Sequence, residues 1–255
     1  MRLTTIGTGT AAPSADRVNA GHLVEAGDVR LLMDCGSGVV HRMATLGVEW
    51  RAITHVAITH FDADHVIDLP TLLVAWRWGT LPARSEPAEL IGPPGTLALM
   101  ERLGALFGSA VAKPDYPFRV RELPPGTTAE LGDGVRIEAH EVPHTVESVA
   151  YCVRRGQRRM VYTGDTGPSA ELGEWARGCD LLLAECSLPD EMAIPTHLTP
   201  ARCADLATSA EPGLLVLTHF YPPVESVDIR ALIGERFHGP VALATDGWAI
   251  EIEES

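Results

Sequence analysis

At 255 residues with 45% hydrophobic composition, the chain can bury a substantial core, and a single domain spanning 1–255 is expected. Its formal charge of −14 creates a field that repels polyanions and argues against nucleic acid as a bulk partner. No apolar run approaches the ~20 residues that a membrane helix needs, and Met1-Arg2-Leu3 runs into a glycine turn without a signal-peptide pattern, so a cytoplasmic protein with no membrane partner is expected.

In chain order, β-type runs are expected at Leu3–Ile6, His22–Glu25, Arg30–Asp34, His55–Thr59, Glu89–Ile91, Val135–His140, Val149–Val153, Arg159–Thr163, Leu181–Glu185, Leu214–Thr218 and Val241–Ala244. Helices are expected at Gly38–Leu46, Leu69–Trp78, Leu97–Phe107, Ser169–Ala176, Pro200–Ala210 and Ile229–Phe237. The proline-bearing stretches around Leu81–Pro94 and Lys113–Pro125 read as loops. This order suits a layered α/β sandwich better than a strictly alternating βαβ wind. Cys35, Cys152, Cys179, Cys186 and Cys203 are odd in number and include no Cys-x-x-Cys pair; they read as reduced core residues, not as a disulfide or zinc-thiolate framework.

The most informative segment is His55-Val-Ala-Ile-Thr-His60-Phe-Asp62-Ala-Asp64-His65, an apolar strand that ends in four potential metal ligands. Three more β-type runs end in the same way, at His144, Asp165 and His219. A lone histidine at a strand end is usually an ordinary histidine. Repetition of one plan, with only imidazole and carboxylate at the ends, points to a metal centre.

Together with these stretches, Ile6-Gly-Thr-Gly-Thr-Ala-Ala-Pro13, Asp34-Cys-Gly36, Asp68-Leu-Pro70, Ala184-Glu185-Cys-Ser, His197-Leu-Thr199 and Thr245-Asp246-Gly247 follow one another in an order that resembles the metallo-β-lactamase superfamily, within it the ribonuclease Z-related branch. The resemblance covers nearly the whole chain. It implies a four-layer αββα sandwich and a metal-dependent hydrolase with two divalent ions, zinc foremost. It also implies that His60 and His144 hold the first metal, that Asp64, His65 and His219 hold the second, and that Asp165 bridges them. Asp64 would in addition orient the nucleophile or take its proton.

One position departs from the pattern: where the family's commonest signature is His-x-His-x-Asp-His, this chain carries Asp62 in place of the second histidine. As a ligand, Asp62 makes the first site richer in oxygen and shifts preference towards manganese or iron. If it does not reach, the first site is weak.

Glu185 and His197 form the next layer. The resemblance implies that His197 protonates the leaving group while Glu185 holds its tautomer; the alternative is a helix start in which Thr199 caps the helix from Pro200 and His197 is merely exposed. His22, His41, His55, His140 and His238 match no motif, although His140 shares a strand face with His144 and could act as an outer-shell group. Trp76 and Trp78 read as packing residues more than as pocket walls. Arg154-Arg155-Gly156-Gln157-Arg158-Arg159 reads as a solvated hairpin turn, with phosphate or RNA binding the competing account.

Only 20 residues separate His144 from Asp165, too few for the long RNA-binding arm that the resembled ribonucleases carry, so tRNA is a disfavoured substrate. A small phosphodiester fits best. A carboxylic ester, thioester or lactone, or an iron-dependent redox role suggested by Asp62, are the alternatives, and a homodimer is left open.

Overall fold

The computed structural model describes residues 1–79 and 81–253. The first half of the chain builds one sheet from β1 (Arg2–Gly7), β2 (Gly21–Ala26), β3 (Val29–Met33), β4 (His55–Ala57), β5 (Ala88–Gly92) and β6 (Phe118–Glu122). The second half builds another from β7 (Thr128–Gly132), β8 (Val135–Glu141), β9 (Val149–Arg155), β10 (Arg158–Tyr162), β11 (Leu181–Glu185), β12 (Leu214–Thr218) and β13 (Val241–Leu243). A last strand, β14 (Ala249–Glu251), returns to pair with β1, so each sheet has seven strands in the orders β14-β1-β2-β3-β4-β5-β6 and β13-β12-β11-β10-β9-β8-β7.

The central strands, such as β3 and β11, are apolar on both faces because both are covered. In β3, Leu31 and Met33 enter the core between the sheets, where they join Val135, Ile137, Tyr151, Val153, Leu183 and Val216. Leu32 points the other way, onto a layer formed by α1 (Val39–Thr45), α2 (Ala63–Val66), α3 (Leu69–Trp78), α4 (Thr96–Phe107) and α5 (Ser109–Ala112), which contributes Val39, Met43, Val66, Leu72, Trp76, Met100 and Val111. In β11 the same alternation sends Leu181 and Leu183 inward and Leu182 and Ala184 outward. There α6 (Ala170–Ala176), α7 (Pro200–Ala210) and α8 (Ile229–Gly234) supply Leu172, Cys203, Ala207 and Ile233. The result is the αββα sandwich expected from the sequence.

Eleven of the strands match expected runs to within two residues at either end. The reading of Lys113–Pro125 as loop is corrected, since β6 lies within it, and β7 and β14 were not foreseen. The last expected helix stops at Gly234, short of Phe237. All five cysteines are buried thiols, and Trp76 fills the core while Trp78 is exposed.

β3 to β6 run parallel, as do β10 to β13, and β8 runs in the same direction as β10 through the antiparallel β9. The carboxyl ends of β3, β4, β8, β10, β11 and β12 carry the residues that the sequence singled out. Convergence there follows the general tendency of ligand sites in parallel sheets.

Candidate metal centre

Each candidate leaves its strand at once and turns into the space between the sheets. His60 lies three residues beyond β4, Asp62 caps the start of α2, and α2 carries Asp64 and His65. His144 follows β8, Asp165 follows β10, and His219 is the first residue after β12. His219 takes a left-handed backbone, φ +59°, a turn that non-glycine residues seldom adopt.

The geometry brings these side chains into two groups joined by one carboxylate. Asp165 Oδ1 lies 3.4 Å from His65 Nε2 and 3.4 Å from His219 Nε2, and Asp64 Oδ2 lies 3.4 Å from the same His219 nitrogen. The other oxygen, Asp165 Oδ2, lies 3.9 Å from His60 Nε2 and 4.0 Å from His144 Nε2. Asp62 stands on the solvent side of this second group, its Oδ2 3.3 Å from His144 Nε2 and 3.6 Å from His60 Nε2. His60, His65, Asp165 and His219 are all buried.

A charge must sit among these atoms, and the outer hydrogen bonds show why. His65 Nδ1 faces Asp34 Oδ2 at 2.8 Å, and His144 Nδ1 faces the Thr196 carbonyl at 3.0 Å. Both partners only accept, so both rings carry their proton on Nδ1. Thr59 Oγ1 donates to Asp34, which leaves it to accept from His60 Nδ1 at 3.0 Å. Ser187 Oγ donates to Glu185 and accepts from His219 Nδ1 at 3.0 Å.

Each of the four rings, when neutral, therefore aims a bare Nε2 lone pair at the centre. The Nε2 atoms of His65 and His219 stand only 3.3 Å apart, and His60 Nε2 and Asp165 Oδ1 are buried without a hydrogen-bond partner. Lone pairs facing lone pairs and a carboxylate suit divalent cations. In the metal-free protein a proton meets the same need at His65: burial opposes it, but Asp165 and Asp34 push the pKa well up. Burial likewise works to raise Asp165, yet His219, His65 and His60 hold it well below the usual carboxylate range. Hydrogen bonding to His60, offset in part by burial, leaves Asp62 depressed.

The groups His60, His144, Asp165 and Asp64, His65, His219 each bring three ligand-type atoms close enough to hold a metal ion, as do Asp165, His197 and His219. Imidazole and carboxylate are a donor set suited to divalent metal ions.

His197 is not merely exposed. Its Nδ1 lies 2.8 Å from Glu185 Oε1 and 4.0 Å from Asp165 Oδ2, while Thr199 separately caps α7, its side chain accepting from Arg202 N. Burial lowers the His197 pKa, but the Glu185 bond and the charges of Glu185, Asp165 and Asp64 raise it to about 8. The outer-shell reading of His140 is corrected: its ring stacks on Trp175, 4.7 Å away, outside the centre.

Sequence reasoning gave no role to Asp34, although it quoted the Asp34-Cys-Gly element. Asp34 is wholly buried with φ +59°, accepts from Thr59 N, Thr59 Oγ1 and Tyr162 Oη at 2.8 to 3.1 Å, and orients His65. Its neighbour Cys35 donates from N to the His65 carbonyl at 2.7 Å. A Cβ on Gly36 would stand 1.9 Å from the Asp64 carbonyl, so only glycine lets α2 approach. Thr59, Ser187 and Thr196 were missed because hydroxyls and carbonyls beside histidines carry no distinctive spacing.

The run Arg154–Arg159 closes the β9–β10 hairpin at the far end of the sheet, across a two-residue turn, with Arg155 paired to Asp133, Arg154 to Glu138 and Arg158 to Asp180. The hairpin turn expected at Gly156-Gln157 is present.

A family model described as β-lactamase superfamily domain matches residues 29–220. A ribonuclease Z from Mycobacterium sp. (strain KMS) is 30% identical over 276 residues, covering 99% of this chain and 96% of the relative. Among solved structures, the metallo-β-lactamase fold protein YhfI from Bacillus subtilis superposes with a TM-score of 0.84 at 23% identity, covering 98% of both chains. The short form of human tRNase Z does so at 0.81 and 24% identity over the full length of both.

Proposed function

Because the chain belongs to the metallo-β-lactamase superfamily, in its ribonuclease Z-related branch, we propose that this metal-dependent hydrolase of ester bonds acts on a small phosphodiester. The observation that carries the reading is Asp165, whose two oxygens face two separate imidazole pairs. His60 and His144, with Asp62, would hold the first ion; Asp64, His65 and His219 the second; Asp165 both. When bound, the ions would supply Lewis acidity to the substrate's oxygens and to the attacking water.

The remaining steps belong to side chains. Asp64, 12% exposed at its side chain and beside His219, is placed to orient the water. His197 carries a proton at neutral pH in the metal-free protein and holds its Nδ1–H on Glu185, which turns Nε2 outward to protonate the departing alkoxide. Glu185 is fully buried and also accepts from Thr166 N at 2.9 Å, so it fixes the ring without leaving its place.

Two features favour a small substrate over RNA. The segment between His144 and Asp165 is a short hairpin, and three of its four arginines are paired with carboxylates away from the centre while Arg159 is held by the Arg177 and Trp175 carbonyls. The net charge of −14 works against a polyanion. RNA processing is the second reading, favoured by the relatives named ribonuclease Z. Metal analysis of protein purified without added metal, followed by assays on bis(p-nitrophenyl) phosphate, a cyclic nucleotide, a thioester, a lactone and a precursor tRNA, separates them. Cleavage of the small diesters with an inert precursor tRNA is expected; the reverse result would replace this reading by the second.

A further inference from the structure

A phosphodiester brings a negative charge into a cleft whose side chains are themselves acidic. Of the arginines on the neighbouring segments, Arg17 is engaged by Glu225, Thr8 Oγ1 and the Ala244 carbonyl, and Arg202 by the carbonyls of Ile194 and His197. Neither guanidinium is turned to the centre.

Tyr221 is differently placed. It follows His219 by two residues, and its backbone is pinned by Tyr221 N donating to the Ser187 carbonyl at 3.2 Å and Val224 N donating to its own carbonyl at 3.1 Å. Its ring stands edge-on to His219 at 6.0 Å and to His197 at 6.3 Å. The ring is half-buried, and its hydroxyl is not among the buried polar atoms and bonds to no described residue. The ring thus faces His219 and His197, and its hydroxyl is an uncharged hydrogen-bond donor.

We propose that Tyr221 is a substrate-contacting residue whose hydroxyl donates a hydrogen bond to an anionic phosphoryl oxygen, in a cleft where the neighbouring arginines are engaged elsewhere. This rests on the phosphodiester reading above.

The test uses metal-loaded protein and two variants. Tyr221→Phe keeps the ring beside His197 and His219 and removes only the hydroxyl; Tyr221→Leu removes both. Hydrolysis of bis(p-nitrophenyl) phosphate and calorimetric binding of inorganic phosphate are measured alongside metal content. The proposal expects Tyr221→Phe to lose about 10- to 100-fold in kcat/KM and in phosphate affinity, with metal content unchanged. Normal values in Tyr221→Phe with loss only in Tyr221→Leu would overturn it, making the ring a packing element. If wild type cleaves no diester yet binds phosphate through the hydroxyl, the phosphodiester reading fails and the anion contact stands. If wild type binds no phosphate at all, the contact is refuted.

Discussion

Four histidines here donate from Nδ1 to an outer partner, and that single choice of tautomer decides what the interior can hold. Ser187 is the least conspicuous of those partners: Glu185 takes its proton, so it must accept from His219. In Ser187→Ala the His219 ring loses its reason to present Nε2, and second-site metal affinity should fall about 10- to 100-fold. Competition with a chromogenic chelator measures it, and wild-type affinity would reject the assignment. Asp62 is the chain's own signature at the first site. Asp62→His should raise zinc occupancy there and leave the second site unchanged, because Asp64, His65 and His219 are untouched; identical zinc and manganese titrations in the two proteins would mean that Asp62 does not ligate.

His22 shows the opposite case, a buried imidazole with neither nitrogen partnered, set edge-on to Tyr162 at 4.8 Å. Burial lowers its pKa to about 3. Since the unfolded chain binds that proton near pH 6.5, its contribution is neutral above pH 6.5 and turns increasingly destabilising as pH falls towards 3, on the order of 1 kcal/mol per pH unit. His22→Leu should therefore widen its stability advantage between pH 6.5 and pH 4 in urea denaturation. Parallel curves for the two proteins would contradict this.

At the level of elements, the central strands were legible because both of their faces are covered and their sequences are almost unbroken apolar runs, such as Leu181-Leu-Leu-Ala184. The three strands that were not foreseen, β6, β7 and β14, all lie at sheet edges. β6 reads Phe-Arg-Val-Arg-Glu because its arginines clamp Glu89 of β5, at 2.6 to 3.3 Å, and charge on an edge strand discourages stray pairing. The clustering of the candidate residues was legible for a related reason: each follows a buried run that ends at the same side of a sheet, so a polar residue there has few places to go. The supporting shell was not, since Asp34 reaches His65 only through a crossover between parallel strands. The β9–β10 hairpin carries its arginines at the opposite end of the same strands. Replacing Arg154 and Arg155 by glutamine should leave kcat/KM for small diesters within about twofold of wild type, as expected for surface changes remote from a site. A tenfold loss would show that the hairpin takes part in binding.

On the scale of the whole molecule, the two halves of the chain each contribute one sheet and one helical layer, and the centre lies where the carboxyl ends of their strands meet. His60, Asp62, Asp64 and His65 come from the first half, and His144, Asp165 and His219 from the second. β14 crosses back to pair with β1, and Asp246, just before it, receives Thr8 N at 3.0 Å and Val18 N at 2.8 Å. The halves are thus tied at the rim of the cleft as well as through their shared core. The proposed bridging carboxylate comes from one half and lies between candidate ligands from both, so metal binding tests the entire arrangement. The most direct measurement is metal content by mass spectrometry for wild type and Asp165→Ala after loading and exhaustive dialysis. The account predicts two ions per wild-type chain and fewer than one per Asp165→Ala chain, with diester turnover lost in parallel; two ions and normal turnover in the variant would contradict it.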